Sequence, residues 1–213
     1  MQKKRRLWGW AFVAPQLIGL MVFAVIPLFM SFIISFHTWD GIAPSMEFVG
    51  LKNYFHQMKD TDFTKSLTNT VVYSLMFIPV DMILALALAL AVQKIKGKTL
   101  YRLFYFMPVV TGSVSVGVIW TWIFNGDFGL INSALAAIGI EGPKWLTDPN
   151  MVLVSIVIVS VWWNVGYNMV LLLAGLQNVP EVYYEAAQID GANKWCTFCH
   201  ITIPMLSPTL FFV

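Results

Sequence analysis

Few residues of this chain have types and spacings that could carry chemistry. Cys196-Thr197-Phe198-Cys199-His200 has the C-x-x-C-H spacing of covalent haem attachment, and the same thiols and imidazole could serve a metal or redox exchange. Gly97-Lys98-Thr99 matches the end of a phosphate-binding loop. That loop needs a glycine five residues earlier, where Val92 stands inside an apolar run, so no nucleotide site is expected and the chain is not expected to be an enzyme. Asp81 lies in hydrocarbon, two residues after Pro79. A charge there costs about 3 kcal/mol or more, so the carboxyl must face protein or water. It is either functional or structural, bonding a neighbouring helix or backbone freed by Pro79. Asn164, Tyr167 and Asn168 share one helical face beside Trp163, suited to line a polar path or to bond another helix. His37, His56 and His200 are scattered over different loops and read as surface residues.

The elements that must position these groups are membrane spans. The chain is 58% hydrophobic and 11% charged, against about 25% charged in soluble domains. Its net charge of +2 implies no nucleic-acid surface. A span needs about 20 apolar residues of helix. Trp8–Phe36, Leu67–Val92, Leu100–Phe124 and Met151–Leu176 satisfy that, and a fifth run starts near Met205 and stops at Val213. Nine residues of helix reach only about 14 Å, so a missing C-terminal part is expected. Lys3-Lys4-Arg5-Arg6 before the first run resembles a signal peptide, but the run exceeds a signal core and lacks a small-x-small cleavage site. A retained signal-anchor helix is expected. In Leu100–Phe124, the residues Gly112, Ser113, Ser115 and Gly117 make a small face for close packing, within the chain or against another subunit.

Basic residues orient the spans. The N-terminus carries four, and the 93–99 link carries Lys94, Lys96 and Lys98, with Arg102 just beyond. Both belong inside. The 37–66 and 125–150 loops balance lysines with Asp40, Glu47, Asp60, Asp62, Asp127, Glu141 and Asp148, and belong outside. Turn pairs Asp40-Gly41, Asn125-Gly126 and Gly142-Pro143 punctuate them. The segment 177–204 is then cytoplasmic, on the wrong side for haem attachment, and its cysteines read as reduced thiols.

That segment is unusually polar for a link between spans. Asn178-Val179-Pro180-Glu181 predicts a helix start, with Asn178 as cap and Pro180 in the first turn. Gly191 predicts its end. Val182, Ala186 and Ile189 share one face, and Glu181 and Glu185 share another. Asn193 can cap a second short helix before a break at Pro204. A short helix is marginal alone in water, so a docked partner is expected.

Glu185-Ala186-Ala187, Asp190-Gly191, nine residues, then Ile201-Thr202-Ile203-Pro204 resembles the EAA loop of binding-protein-dependent ABC importer permeases. The usual ending is Ile-x-Leu-Pro, so Ile203 is a mild apolar departure. Asn69-Thr70, Phe106-Met107-Pro108, Ile123-Phe124-Asn125, Gly129-Leu130-Ile131-Asn132 and Gly175-Leu176-Gln177 look like the carbohydrate, maltose-permease-like branch. The resemblance implies an all-α polytopic bundle with six spans when intact, of which four full spans and the start of a fifth are expected here. It implies a signal-anchor helix and first external loop over 1–66, and a permease domain over 67–213 with a coupling loop at 177–204.

It further implies a bacterial or archaeal cytoplasmic membrane, with the N-terminus in the cytoplasm. The implied partners are two cytoplasmic ATPases, a second and different permease, and an extracytoplasmic solute-binding protein. ATP would be used by the partners, with no cofactor in this chain. Glu185, Ala186, Ala187, Asp190, Gly191, Ile201, Ile203 and Pro204 would couple to the ATPases. Asn164, Tyr167, Asn168 and Asp81 would be candidates for the sugar pathway. A membrane redox protein using Cys196, Cys199 and His200, and an Asp81-dependent secondary transporter, are the competing expectations.

Overall fold

The computed structural model describes residues 2–39, 41–42, 45–93, 95 and 97–213. Asp40, Lys94 and Lys96, which enter the turn and charge arguments above, lie outside these residues. The chain divides into two compact units, Met1–Thr68 and Asn69–Val213.

In the first unit, α1 (Gln2–Leu20), a π turn (Met21–Val25) and α2 (Ile26–Ile34) follow without interruption, and Trp8–Ile34 is a 27-residue apolar run. The π turn, in which Ile26 N–H reaches back to Met21 O, ends two residues before Pro27. A proline ring collides with the carbonyl four residues back in a regular helix, and the wider turn relieves that collision. The following segment is more regular than its turn residues suggest. A short antiparallel ladder pairs β1 (His37–Thr38) with β2 (Glu47–Phe48), with His37 opposite Phe48. Asn53 Nδ2 donates to Ser35 O and His37 O, each at 2.9 Å, and Ser35 Oγ lies 2.6 Å from Tyr54 Oη. After α3 (Lys52–Lys59), Asp60 Oδ1 accepts from Asp62 N and Phe63 N at 2.8 and 3.2 Å. This cap starts α4 (Thr61–Gln93) six residues ahead of the expected Leu67.

In the second unit, α4 presents Asp81, Ala85, Ala89 and Val92 as one buried stripe at helical spacing. The stripe packs on Met169, Leu172, Leu173 and Leu176 of α8 (Val152–Gln177) and on Leu206 of α11 (Ile203–Phe212). The expected straight span Leu100–Phe124 is instead two helices, α5 (Lys98–Val110) and α6 (Ser113–Ile123), bent by 94°. Thr111 and Gly112 are both extended there, three and four residues after Pro108. The small face of α6 does not pack within the described chain, since a Cβ on Gly112 or Gly117 would meet nothing within 4 Å. The close helix contact lies elsewhere: a Cβ on Gly166 of α8 would overlap the carbonyl of Tyr105 in α5.

The segment between α6 and α8 holds α7 (Leu130–Ala137) and is organised by Asn132. Its Nδ2 donates to Gly126 O and Pro143 O at 2.8 and 3.2 Å, and its Oδ1 accepts from Trp145 Nε1 at 2.7 Å. Ser155 Oγ closes the ring by donating to Trp145 O at 2.8 Å.

Candidate functional site

The polar segment after α8 folds as a short helix with a sharp end. Asn178 is the last capping residue of α8, with its N–H on Gly175 O. Pro180 is the N-cap of α9 (Glu181–Ile189), and no side chain caps that end. The expected cap by Asn178 is therefore corrected: Pro180 sits at N-cap rather than inside the first turn, which leaves Asn178 two residues too early. Gly191 ends α9 as expected, at φ 74°. Its N–H bonds Gln188 O at 3.1 Å and Ala192 N–H bonds Ala187 O at 2.9 Å, the paired bonds of a Schellman motif.

The expected apolar face of α9 is uncovered. Val182 is 67% exposed and Ile189 86%, and Glu185, Ala186 and Asp190 are exposed as well. Ala187 of α9 and Val179 just ahead of it are buried. Tyr184 Oη, 3.2 Å from Thr202 Oγ1, ties α9 to the next helical run, a contact that no sequence pattern announces. An open cavity of about 620 Å³ lies beside this tie, lined by Gln93, Leu176, Gln188, Lys194 and Phe198 among others.

Asn193 caps α10 (Lys194–Thr197) as expected, accepting Cys196 N–H at 2.7 Å. The expected break at Pro204 is absent. A π turn (Phe198–Thr202) leads straight into α11, so Lys194–Phe212 is one run of 19 residues, long and apolar enough to cross a membrane. Pro204 is the second residue of α11, just after the π turn, whose wider spacing relieves the collision between a proline ring and the carbonyl of the preceding turn. Ile201 and Ile203 are half-buried and Pro204 is exposed. Cys196 Sγ lies 3.6 Å from His200 Nδ1. Among the described residues no three His, Cys, Asp or Glu side chains gather as a metal site.

The intramembrane polar groups divide by partner. Asn168 Nδ2 donates to Asp81 Oδ2 at 2.6 Å, joining α8 to α4, while Asp81, 2% exposed, has no partner for Oδ1 among the described residues. Asn164 Nδ2 donates to Ser160 O of its own helix at 2.9 Å. Tyr167 is half-exposed and packs against Phe106 at 6.3 Å between ring centres. The face read from spacing thus holds one interhelical clamp, one locally bonded amide and one open phenol. Tyr73 Oη adds a second tie between α4 and α8, donating to Ser160 Oγ at 2.9 Å.

Comparison with known proteins agrees with this architecture. The sequence profile of the family described as "Binding-protein-dependent transport system inner membrane component" matches residues 81–213. The lactose transport system permease protein LacF of Rhizobium radiobacter is 38% identical over 208 residues, covering 96% of this chain and 69% of LacF. The trehalose/maltose transport system permease protein MalF of Thermococcus litoralis is 34% identical over 203 residues, covering 95% and 69%. A crystal structure of a bacterial ABC transporter involved in alginate import superimposes with a TM-score of 0.79 at 21% identity, covering 97% of this chain and 70% of that one. The all-α polytopic bundle is therefore the fold. The chain belongs to the family of binding-protein-dependent transport system inner membrane components, and is a multi-pass permease subunit of an ABC importer rather than an enzyme.

Proposed function

We propose that this permease passes a sugar or oligosaccharide, and that α9 with the Gly191 turn is the knob by which cytoplasmic ATPases drive it. The substrate class is supported by relatives named for lactose, trehalose/maltose and arabinooligosaccharides. The observation that carries the coupling role is the uncovered face of α9, with Val182 and Ile189 exposed on a nine-residue helix that would be marginal alone. Glu185 is exposed on the same helix and free to pair with a basic group in an ATPase cleft. The basic N-terminus supports a cytoplasmic start, which puts α9 on the side where ATP is available. A solute-binding protein outside and a second, different permease complete the proposed assembly. A chain in complex with a periplasmic binding protein is among the similar structures. Within the membrane, Tyr167 is the group best placed to meet a solute, and Asn168 acts through its bond to Asp81.

The test is co-purification of the ATPase with the assembled permease, beside ATP-dependent uptake in proteoliposomes. Glu185→Lys and Gly191→Pro are expected to lose the ATPase and the uptake while the permease stays in the membrane. Retention of both by Glu185→Lys and Gly191→Pro would remove the knob from the mechanism.

A further inference from the structure

The pair Cys196 and Cys199 has no role in the coupling proposed for α9, yet it stands on the helical run that follows the Gly191 turn. The residues are three apart in continuous right-handed helix, which sets their Cα atoms about 5 Å apart. Disulfides form at Cα separations of about 4.4–6.8 Å. Both thiols are half-buried and so reachable by a small reagent. His200 Nδ1 lies 3.1 Å from Cys196 O and 3.6 Å from Cys196 Sγ. A carbonyl oxygen only accepts, so Nδ1 bears the hydrogen, and this same N–H faces the sulfur. Cys196 thus has a donor aimed at the atom that holds negative charge when a thiolate attacks.

We propose that Cys196 and Cys199 are a peroxide-sensitive dithiol that closes to an intramolecular disulfide and thereby disables the coupling loop. Cys196 thiolate attacks one oxygen of hydrogen peroxide, the O–O bond breaks, and hydroxide leaves with its electron pair; Cys196 becomes the sulfenic acid. Cys199 thiolate then attacks that sulfur, forming the S–S bond and expelling a second hydroxide. The two protons lost by the thiols neutralise the two hydroxides. In sum, two thiols and one peroxide give one disulfide and two waters. A reducing thiol restores the pair by exchange.

The consequence follows from position. The new bond spans the junction of α10 with the π turn, one residue before His200 and three before Thr202. Thr202 holds Tyr184 of α9, and Phe198, between the cysteines, lines the cavity beneath the knob. A helical turn pinned by a covalent staple cannot adjust its pitch when α9 is pulled. This regulatory half rests on the coupling role proposed for α9; the thiol chemistry does not.

The experiment uses the assembled transporter, treated with hydrogen peroxide and then with an alkylating reagent, and read by peptide mass spectrometry and by uptake. The expected result is loss of two hydrogens and of both alkylation sites, reversed by dithiothreitol, together with loss of uptake. Cys199→Ser should stop at a sulfenic acid on Cys196 that a 1,3-dione traps. His200→Ala should slow the first step by roughly tenfold, about the value of one hydrogen bond to a charged group. Cys196→Ser/Cys199→Ser should transport normally and ignore peroxide. Two free thiols after treatment, or a bond between chains, overturns the proposal. An intramolecular bond with undiminished uptake, in a transporter that Glu185→Lys does disable, overturns its regulatory half. Normal uptake by Glu185→Lys would instead sink the coupling role and leave the dithiol standing.

Discussion

The bond between Asn168 and Asp81 decides whether the polar face of α8 is a path or a clamp. Asp81 is 2% exposed, and Asn168 supplies the bond to Oδ2 while Oδ1 has none among the described residues. Asn168→Ala removes that donor and leaves a buried acceptor unsatisfied, which costs about 2 kcal/mol. Asp81→Ala strands the amide instead and opens space beside Ala85, at a similar cost. The double substitution removes both halves, so its cost should fall below the sum of the singles by about 1–2 kcal/mol. The assay is thermal unfolding in detergent for the wild type and the three variants, with uptake measured on the same reconstituted samples. Coupling of that size, with uptake partly recovered in the double variant, identifies a clamp whose damage is the orphaned group. Additivity within about 0.5 kcal/mol would refute the reasoning, since independent sites behave that way. Strong coupling with uptake still lost in the double variant would give Asn168 a direct part in the path.

Two further substitutions test the frame. Gly166→Ala places a methyl group against the Tyr105 carbonyl, so α5 and α8 must separate; a loss of about 1–3 kcal/mol is expected in the same unfolding assay. Asn132→Ala leaves Trp145 Nε1, Gly126 O and Pro143 O without their shared partner, and limited proteolysis should cut within 125–150 faster while uptake by the uncut protein persists.

The apolar runs were legible because each is long and almost free of charge, and the end of α9 was legible because glycine takes φ 74° at no steric cost. The bend between α5 and α6 was not. Pro108 and Gly112 stand in a run that reads as one span, since proline and glycine are tolerated in membrane helices. The start of α4 was missed for a different reason: hydropathy finds the first greasy residue, whereas Asp60 caps a helix whose first turn is polar. Spacing put Asn164, Tyr167 and Asn168 on one face, but no spacing within α8 shows that Asn168 meets a residue 87 positions away. Pro204 misled because a π turn upstream absorbs what proline would otherwise break.

At its closest point the meeting of α5 with α8 is main chain on main chain, Gly166 against the Tyr105 carbonyl, with the Phe106 and Tyr167 rings packed beside it. Neither Gly166 nor Tyr105 contributes a side chain at that point, so the Tyr105 side chain is free to drift. Tyr105 lends its carbonyl there, and the residue as a whole is 38% exposed. A permease built this way can exchange the residues that greet a solute without moving the joint that holds its helices, separating what is recognised from what is held.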